Sequence, residues 1–419
     1  MPFQAQRGTQ DVLPTESHRW QWLERKFLAL ASLYGYREIR TPVFEDEGLF
    51  TRTSGETSDI VTKQMYNFVD KGGRPLALKP EGTAPIVRSV IEHNLCPSGT
   101  VSRLSYVTPI YRYERPQKGR LREAHQVGLE LIGSPSMAAD AEIIEITVRF
   151  YEKLGISELN VMLNCLGRDE CRERFREAIL KHAAKYLEGQ VPEVREKAER
   201  NPLRLLDSKD PEIQELMATG PVVLDYLEDE CKGRFEELQK LLKGADIQFC
   251  VDPAIVRGLD YYTETVFEVQ SSKLGSQSSL CGGGRYDGLV KELGGPPTPS
   301  VGVAMGIERA LIVLEAENAL PPLPPFQAFV AYTGAETREE AQKLVSELRK
   351  AGVSALIDVD GKSLKSQLRQ ADRSGVSHVL VVGEEELARG AVVFRDLATS
   401  EQRDVPKGEL LELFGKGSA

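Results

Sequence analysis

The chain has 419 residues, of which 41% are hydrophobic and 28% charged, and its formal net charge is −10. That is ordinary globular composition for two or three domains, and no run approaches the ~18 apolar residues of a membrane span. The acidic balance argues against non-specific nucleic-acid binding, which rests on phosphate neutralisation, but leaves room for a local basic face.

A first helix is expected from about Ser17 to Tyr34, because Trp20, Leu23, Phe27, Leu30 and Tyr34 recur at three- and four-residue steps. The run YREIRTPVFED after Gly35 alternates as a strand, with Pro42 marking an edge or a bulge. NFVDKGGRPLALK, RLSYVTPIYRYER, EAHQVGLELIG and VFEVQ also read as strands, and helices are expected from Gly82 to before Asn94 and from Ala138 to Leu154. Many strands with few crossovers predict a mainly antiparallel sheet flanked by helices, an α+β architecture. Residues 168–245, rich in long charged side chains, read as a helical insertion or as helices packed on the main body.

Four prolines in NALPPLPPFQ, residues 318–327, favour extended backbone and mark a linker between residues 1–320 and a C-terminal unit, 326–419. In that unit AFVAYTG, SALIDVD, SHVLVVG and AVVFRD alternate with helices near 336–350 and 363–373, which predicts a compact α/β domain. It carries 13 Lys/Arg against 15 Asp/Glu, yet Lys362, Lys365, Arg369 and Arg373 fall at steps of three and four. On a helix they would form one basic stripe, either a track for phosphates or only a solvated face.

Cys96, Cys165, Cys171, Cys231, Cys250 and Cys281 form no Cys-x-x-Cys pair, so they read as packing residues in a reducing compartment. His18, His93, His125, His182 and His378 are dispersed, and no metal site is identified. The N-terminus, MPFQAQRGTQDVLP, lacks an apolar signal core, so the cytoplasm is the expected location.

Four segments suggest chemistry. In LALKPEGTAPIVRSV, Glu81 and Thr83 stand two apart, suited to a substrate ammonium and equally to capping the helix that follows. PIYRYERPQKGRLREAHQVGLELIG reads as a hairpin whose Arg112, Arg115, Lys118, Arg120 and Arg122 suit phosphate oxygens. Its second strand puts Gln126 and Glu130 on one face, where burial is costly unless a polar partner is present. VRGLDYYTETVFEV carries Arg257, Asp260, Tyr261 and Tyr262, and in CGGGRYDGLVKELGG the consecutive glycines 282–284 suggest a tight turn close to a ligand. PSVGVAMGIERALIVL reads as a strand ending at Gly306, then a helix with Arg309 in its first turn, a place suited to an anion.

Together these segments resemble the class II aminoacyl-tRNA synthetases and, within them, the histidine-specific branch. TPVFE resembles the first class motif, a dimer-interface element; YRYERPQKGR the second; GVAMGIERAL the third. RGLDYYTETVFE and GGGRYDGL resemble the two histidine signatures. The resemblance spans essentially the whole chain. It implies a catalytic domain in 1–320 with the 168–245 insertion, and an anticodon-binding domain in 326–419. Glu81, Thr83 and Gln126 would hold the histidine ammonium. Glu130 and Tyr262 would read the imidazole, with Tyr261 close by. Arg112 and Arg257 would bind the α-phosphate and the reacting carboxylate. Arg309 would engage the distal phosphates, and Glu114 and Arg120 would help seat the nucleotide. ATP as substrate, Mg2+, histidine tRNA and a homodimer are implied with them, and no membrane.

The chain departs from the family pattern at Leu121 and Ala124, where aromatics are expected; neither is a proposed ligand contact, so the departures should alter packing. SSKLGSQSSLC is also unusual and reads as a surface-loop variant. Two rivals remain: a non-catalytic histidine-sensing regulatory subunit of ATP phosphoribosyltransferase, which intact Arg112, Arg257 and Arg309 argue against, and a tRNA-binding sensor module.

Overall fold

The computed structural model describes residues 3–54, 60–206, 208, 210–256 and 259–414. The chain divides into two compact units at Pro321/Pro322. In the first unit the strands are β1 Arg37–Glu38, β2 Phe44–Asp46, β3 Tyr66–Val69, β4 Pro75–Leu78, β5 Ser102–Tyr111, β6 Glu123–Ile132, β7 Asn160–Cys165, β8 Cys250–Val251, β9 Thr265–Gln270, β10 Ser279–Arg285 and β11 Ser300–Gly306.

Eight of them form one sheet in the order β1-β5-β6-β11-β10-β9-β7-β8. Its six central strands pair antiparallel, and only the short edge strands β1 and β8 join parallel. The two-residue side-chain period decides which residues reach the site. Val127, Leu129 and Leu131 of β6, with Val301, Val303 and Met305 of β11, face a core shared with the helices Ser17–Leu33, Met137–Leu154 and Ile307–Ala316. Gln126, Gly128 and Glu130 therefore point to the other face, as do Gly302, Ala304 and Gly306. The fold class expected from the sequence is the one observed.

Three local expectations fail. YREIRTPVFED is not one strand: β1 ends at Glu38, and the chain re-enters a second, three-stranded sheet, β2-β4-β3, at Phe44. Pro42 cannot donate to a ladder there, and the Lys79 ammonium donates to the Thr41 carbonyl (3.2 Å) and hydroxyl (3.3 Å) instead. NFVDKGGRPLALK is a hairpin, β3–β4, closed by the Asp70 carboxylate accepting from the Gly72 and Arg74 amides at 2.8 and 2.9 Å. The glycines 282–284 are not a turn but the middle of β10, laddered to β9 on one side and β11 on the other.

The 168–245 block is two things physically. Helices Asp169–Glu188, Pro192–Arg200 and Pro211–Ala218 enclose their own small core, which includes Phe175, Ile179, Leu187 and Ile213. Helix Asp229–Gly244 instead buries Phe235, Leu238 and Leu242 in the main core.

The second unit holds β12 Ala328–Tyr332, β13 Ala355–Ile357, β14 His378–Val382, β15 Ala391–Asp396 and β16 Gln402–Pro406, in the order β13-β12-β14-β15-β16. Helices Ala335–Lys350 and Leu364–Arg373 cover opposite faces of this sheet. The edge strand β16 and the short helix Glu384–Ala388 are not legible in the sequence, because each is mostly exposed and carries almost no apolar pattern.

Candidate active site

A cavity of about 490 Å3 opens on the polar face of the large sheet. Its floor depends on close approach between neighbouring strands. Tyr106 of β5 lies directly across from Gly128 of β6, and a Cβ at position 128 would overlap its ring. A Cβ at Gly302 of β11 would overlap the Glu130 carboxylate. Only glycine leaves room for these two side chains to lie flat between strands.

Glu81 and Thr83 stand where β4 gives way to helix Thr83–Glu92. The Thr83 and Ala84 amides each donate to one Glu81 carboxylate oxygen at 2.7 Å. The capping role is thus filled, and it does not compete with ligand binding, since each oxygen keeps a second acceptor direction. Burial raises the Glu81 pKa, while those two amides and the Arg112 charge oppose the shift.

Glu130 is fully buried. The Thr83 hydroxyl donates to one of its oxygens at 2.7 Å, and the Tyr286 hydroxyl donates to the other. Burial pushes its pKa up to about 8, with the charge of Glu81 adding to the rise and the hydroxyl donors opposing it. Such a carboxyl changes protonation near neutral pH.

Glu81, Thr83, Gln126, Tyr261 and Tyr262 line the cavity, and so do Arg112, Glu114, Arg120 and Arg309. Glu130 lies beneath the floor rather than on the wall. Arg257 lies outside the described residues. The Gln126 side-chain oxygen is buried with no hydrogen-bond partner, an acceptor awaiting a donor.

Arg112 Nε donates to the Pro80 carbonyl at 2.7 Å, and a second guanidinium nitrogen stands 4.0 Å from Glu114. Arg120 Nε lies 3.6 Å from the same carboxylate. Burial lowers the Arg112 pKa against the pull of Glu114 and Glu81, but a guanidinium remains charged. Arg309, in the first turn of helix Ile307–Ala316, donates to the Gly119 carbonyl at 3.2 Å and to the Ser279 carbonyl, so one side chain spans the arginine loop and β10.

Sequence reasoning missed several groups. Tyr106 and Tyr286 support the floor, yet a tyrosine in a strand reads as core. His125, one of the dispersed histidines, lines the cavity, and Glu308 accepts from its amide at 2.9 Å and meets its ring Nδ1 at 3.0 Å. Burial pulls the His125 pKa down, and the Glu308 hydrogen bond with three nearby carboxylates, Glu308, Glu123 and Glu24, outweighs it to leave a net rise. Leu121 and Ala124 line the wall, so the two departures from the family pattern shape the cavity rather than distant packing. The supposed surface-loop variant is a 3-10 turn, Ser272–Gln277, and the residues after it, Ser278–Cys281, also reach the cavity. Arg285 is fully buried: Nε donates to Asp140 at 3.2 Å, and the other nitrogens reach Asp287 and the Ser134 and Ser136 carbonyls, fixing the backbone that presents Tyr286.

Among the described residues no group of three or more His, Cys, Asp or Glu converges as a metal site. Glu114 and Glu268 reach the cavity as single carboxylates. That donor set suits a magnesium ion that keeps its waters and takes substrate phosphates as ligands.

In the second unit, Lys365, Arg369 and Arg373 are exposed along helix Leu364–Arg373. Lys362 is not on that helix. The Asp358 carboxylate accepts from its amide at 2.8 Å and Asp360 pairs with its ammonium at 2.6 Å, so the turn before the helix claims it and the stripe is three residues long.

The sequence pattern of histidyl-tRNA synthetase matches residues 8–310, and that of an anticodon binding domain matches 327–416. This chain belongs to the histidyl-tRNA synthetase family. A histidine–tRNA ligase of Geobacillus thermodenitrificans is 46% identical over 98% of this chain and 97% of its own length. The apo histidyl-tRNA synthetase of S. aureus superposes with a TM-score of 0.83 at 33% identity, covering 98% of this chain and 99% of that one. A Bacillus halodurans protein described as an ATP phosphoribosyltransferase regulatory subunit/histidyl-tRNA synthetase shares the fold, with a TM-score of 0.66 at 24% identity over 91% of this chain and 99% of that one. Fold alone therefore does not separate synthetase from regulatory subunit; the residues on the cavity wall have to.

Proposed function

We infer that this chain is a histidine–tRNA ligase: it activates L-histidine with ATP to histidyl-adenylate and transfers the histidyl group to the 3′ end of histidine tRNA. The observation that carries this reading is the juxtaposition in one cavity of two sets of groups. Glu81, Thr83 and Gln126 suit a substrate ammonium, and Arg112, Arg120 and Arg309 suit phosphates. A histidine-sensing regulatory subunit has no use for the second set.

In the first step the histidine carboxylate attacks the α-phosphorus and pyrophosphate leaves. In the second the terminal ribose hydroxyl attacks the activated carbonyl and AMP leaves. Neither step requires a protein nucleophile. Arg112, with Arg257 by family resemblance, stabilises the charge that builds on the α-phosphate, and Arg309 holds the distal phosphates. Glu114 and Arg120 seat the nucleotide. The unpartnered Gln126 oxygen accepts from the ammonium together with Glu81 and Thr83. Tyr262 reads the imidazole with Tyr261 beside it, and Glu130, beneath the floor, acts on the ring through the Thr83 hydroxyl it holds. Magnesium, bound with ATP near Glu114 and Glu268, would neutralise phosphate charge.

We also propose a homodimer formed at the small sheet, where Phe44, Phe68 and Val69 are exposed beside Val43. Sedimentation at micromolar concentration should give twice 46.5 kDa, and a monomer would refute the dimer. The six cysteines are free, in keeping with a cytoplasmic setting, and no described helix is long and apolar enough to cross a membrane. The function is tested by ATP–pyrophosphate exchange, which should depend on histidine. Equal exchange with unrelated amino acids would overturn the assignment.

A further inference from the structure

Two acidic residues, Asp260 and Glu264, bracket Tyr261 and Tyr262 in the chain, and each is tied to other elements. On one side, Glu264 is buried, and its two carboxylate oxygens accept from Arg168 Nε at 2.6 Å and Arg234 Nε at 2.7 Å. Arg234 belongs to the helix packed into the main core, while Arg168 caps the insertion helix Asp169–Glu188, so Glu264 is held from both the catalytic body and the insertion. Burial would raise the Glu264 pKa, but the bonds and charges of the two arginines bring it below the usual range. On the other side stands Asp260, whose anchors come from the helical insertion. The buried Asn201 donates from Nδ2 to Asp260 Oδ1 at 3.2 Å, and Arg172 donates to the Asp260 carbonyl at 3.4 Å. The Asn201 side-chain oxygen is itself buried without a partner. Burying an amide in that state costs free energy that an apolar residue would not, so packing does not account for asparagine at this position, whereas the bond to Asp260 does.

We propose that Asn201 is a positioning residue for the histidine pocket: through Asp260 the insertion holds the tyrosine pair in place, and the pocket is complete only while the insertion is docked. Resting on the histidine–tRNA ligase reading, it adds a histidine-selective role for a residue that touches neither substrate. The phosphate-binding arginines Arg112 and Arg309 hang from the Pro80, Gly119 and Ser279 carbonyls, outside this linkage. Loosening Asp260 should therefore weaken histidine and spare ATP.

The experiment is ATP–pyrophosphate exchange by the full-length protein, with KM for histidine and ATP and kcat measured for three variants. Asn201→Asp sets two carboxylates against each other and should raise KM for histidine at least tenfold, with KM for ATP within about twofold of wild type. Asn201→Ala, losing one hydrogen bond to a charged group, should raise it about tenfold or somewhat less. The paired exchange Asn201→Asp with Asp260→Asn reverses the direction of the bond and should bring KM for histidine back to within about threefold of wild type. Thermal melting of each variant shows whether the insertion still folds, and the paired exchange remains decisive if a single variant does not. Unchanged KM for histidine in both single variants, equal rises for histidine and ATP, or no recovery in the paired exchange would each overturn the proposal. Wild-type protein without histidine-dependent exchange would instead overturn the underlying function.

Discussion

The cavity floor and helix Leu364–Arg373 both carry charge, under opposite conditions. At the cavity floor Glu81 and Thr83, with Glu130 and Tyr286 beneath them, are buried and each holds another, so the position of one group is set by its neighbours. On the helix, Lys365, Arg369 and Arg373 stand in water, where each charge acts almost alone and salt screens it. A buried network transmits any substitution to several partners, because an unpaired polar group there has no solvent to turn to. An exposed stripe changes by increments.

The largest effect that would sharpen this contrast is expected at Arg112. Arg112→Ala should lower histidine-dependent pyrophosphate exchange by about 100-fold or more, since it removes a half-buried charge proposed to stabilise the α-phosphate as the transition state forms. Exchange within tenfold of wild type would take Arg112 out of the chemistry. Next comes Glu130→Gln, which should raise KM for histidine by about tenfold while leaving KM for ATP nearly unchanged, because one of the Thr83 and Tyr286 hydroxyls then faces an amide donor. Equal small changes in both constants would place Glu130 outside the side-chain pocket.

The same variant tests the floor's protonation. With a folded pKa of about 8 against an ordinary 4.5, Glu130 keeps a proton in the folded state that the unfolded state has released. Stability from this group is therefore lost as pH rises from about 4.5 to about 8 and changes no further above that. Glu130→Gln cannot lose that proton, so its Tm relative to wild type should climb between pH 5 and pH 8. A constant difference would mean that Glu130 is already ionised in the fold.

The smallest effect belongs to the exposed stripe. Neutralising Lys365 and Arg369 together should raise KM for tRNA severalfold and flatten its salt dependence, while pyrophosphate exchange without tRNA stays at wild type. Unchanged tRNA kinetics and salt slope would show that the stripe is only a solvated face.

Legibility in the amino-acid sequence follows the same division. Gln126 and Glu130 are legible because two polar residues at strand spacing on an otherwise apolar strand demand a reason. Tyr106 and Tyr286 are not, since their hydroxyls gain meaning only from a carboxylate brought in by another strand. Glu308 and His125 are 183 residues apart, and no local pattern encodes their meeting. The glycines 282–284 resemble a turn because a turn is the commonest use of glycine; two flanking strands fix them as a ladder instead. At Pro42 the break is larger than a bulge, because the chain changes sheets there. The stripe and its helix near 363–373 are legible, but periodicity alone wrongly carries the stripe back to Lys362, which stands in the turn before the helix.

Gly128 and Gly302 also bear on how this pocket could be changed. A binding site is usually enlarged by trimming a bulky residue on its floor, but at these two positions nothing remains to trim, and any substitution collides with Tyr106 or Glu130. Enlargement would have to remove a tyrosine or the carboxyl itself, and each such change also strips a hydrogen-bonding group. On this part of the floor volume and polarity are tied together, so a redesign there toward a larger or apolar amino acid must replace Tyr106, Glu130 and their partners as a block.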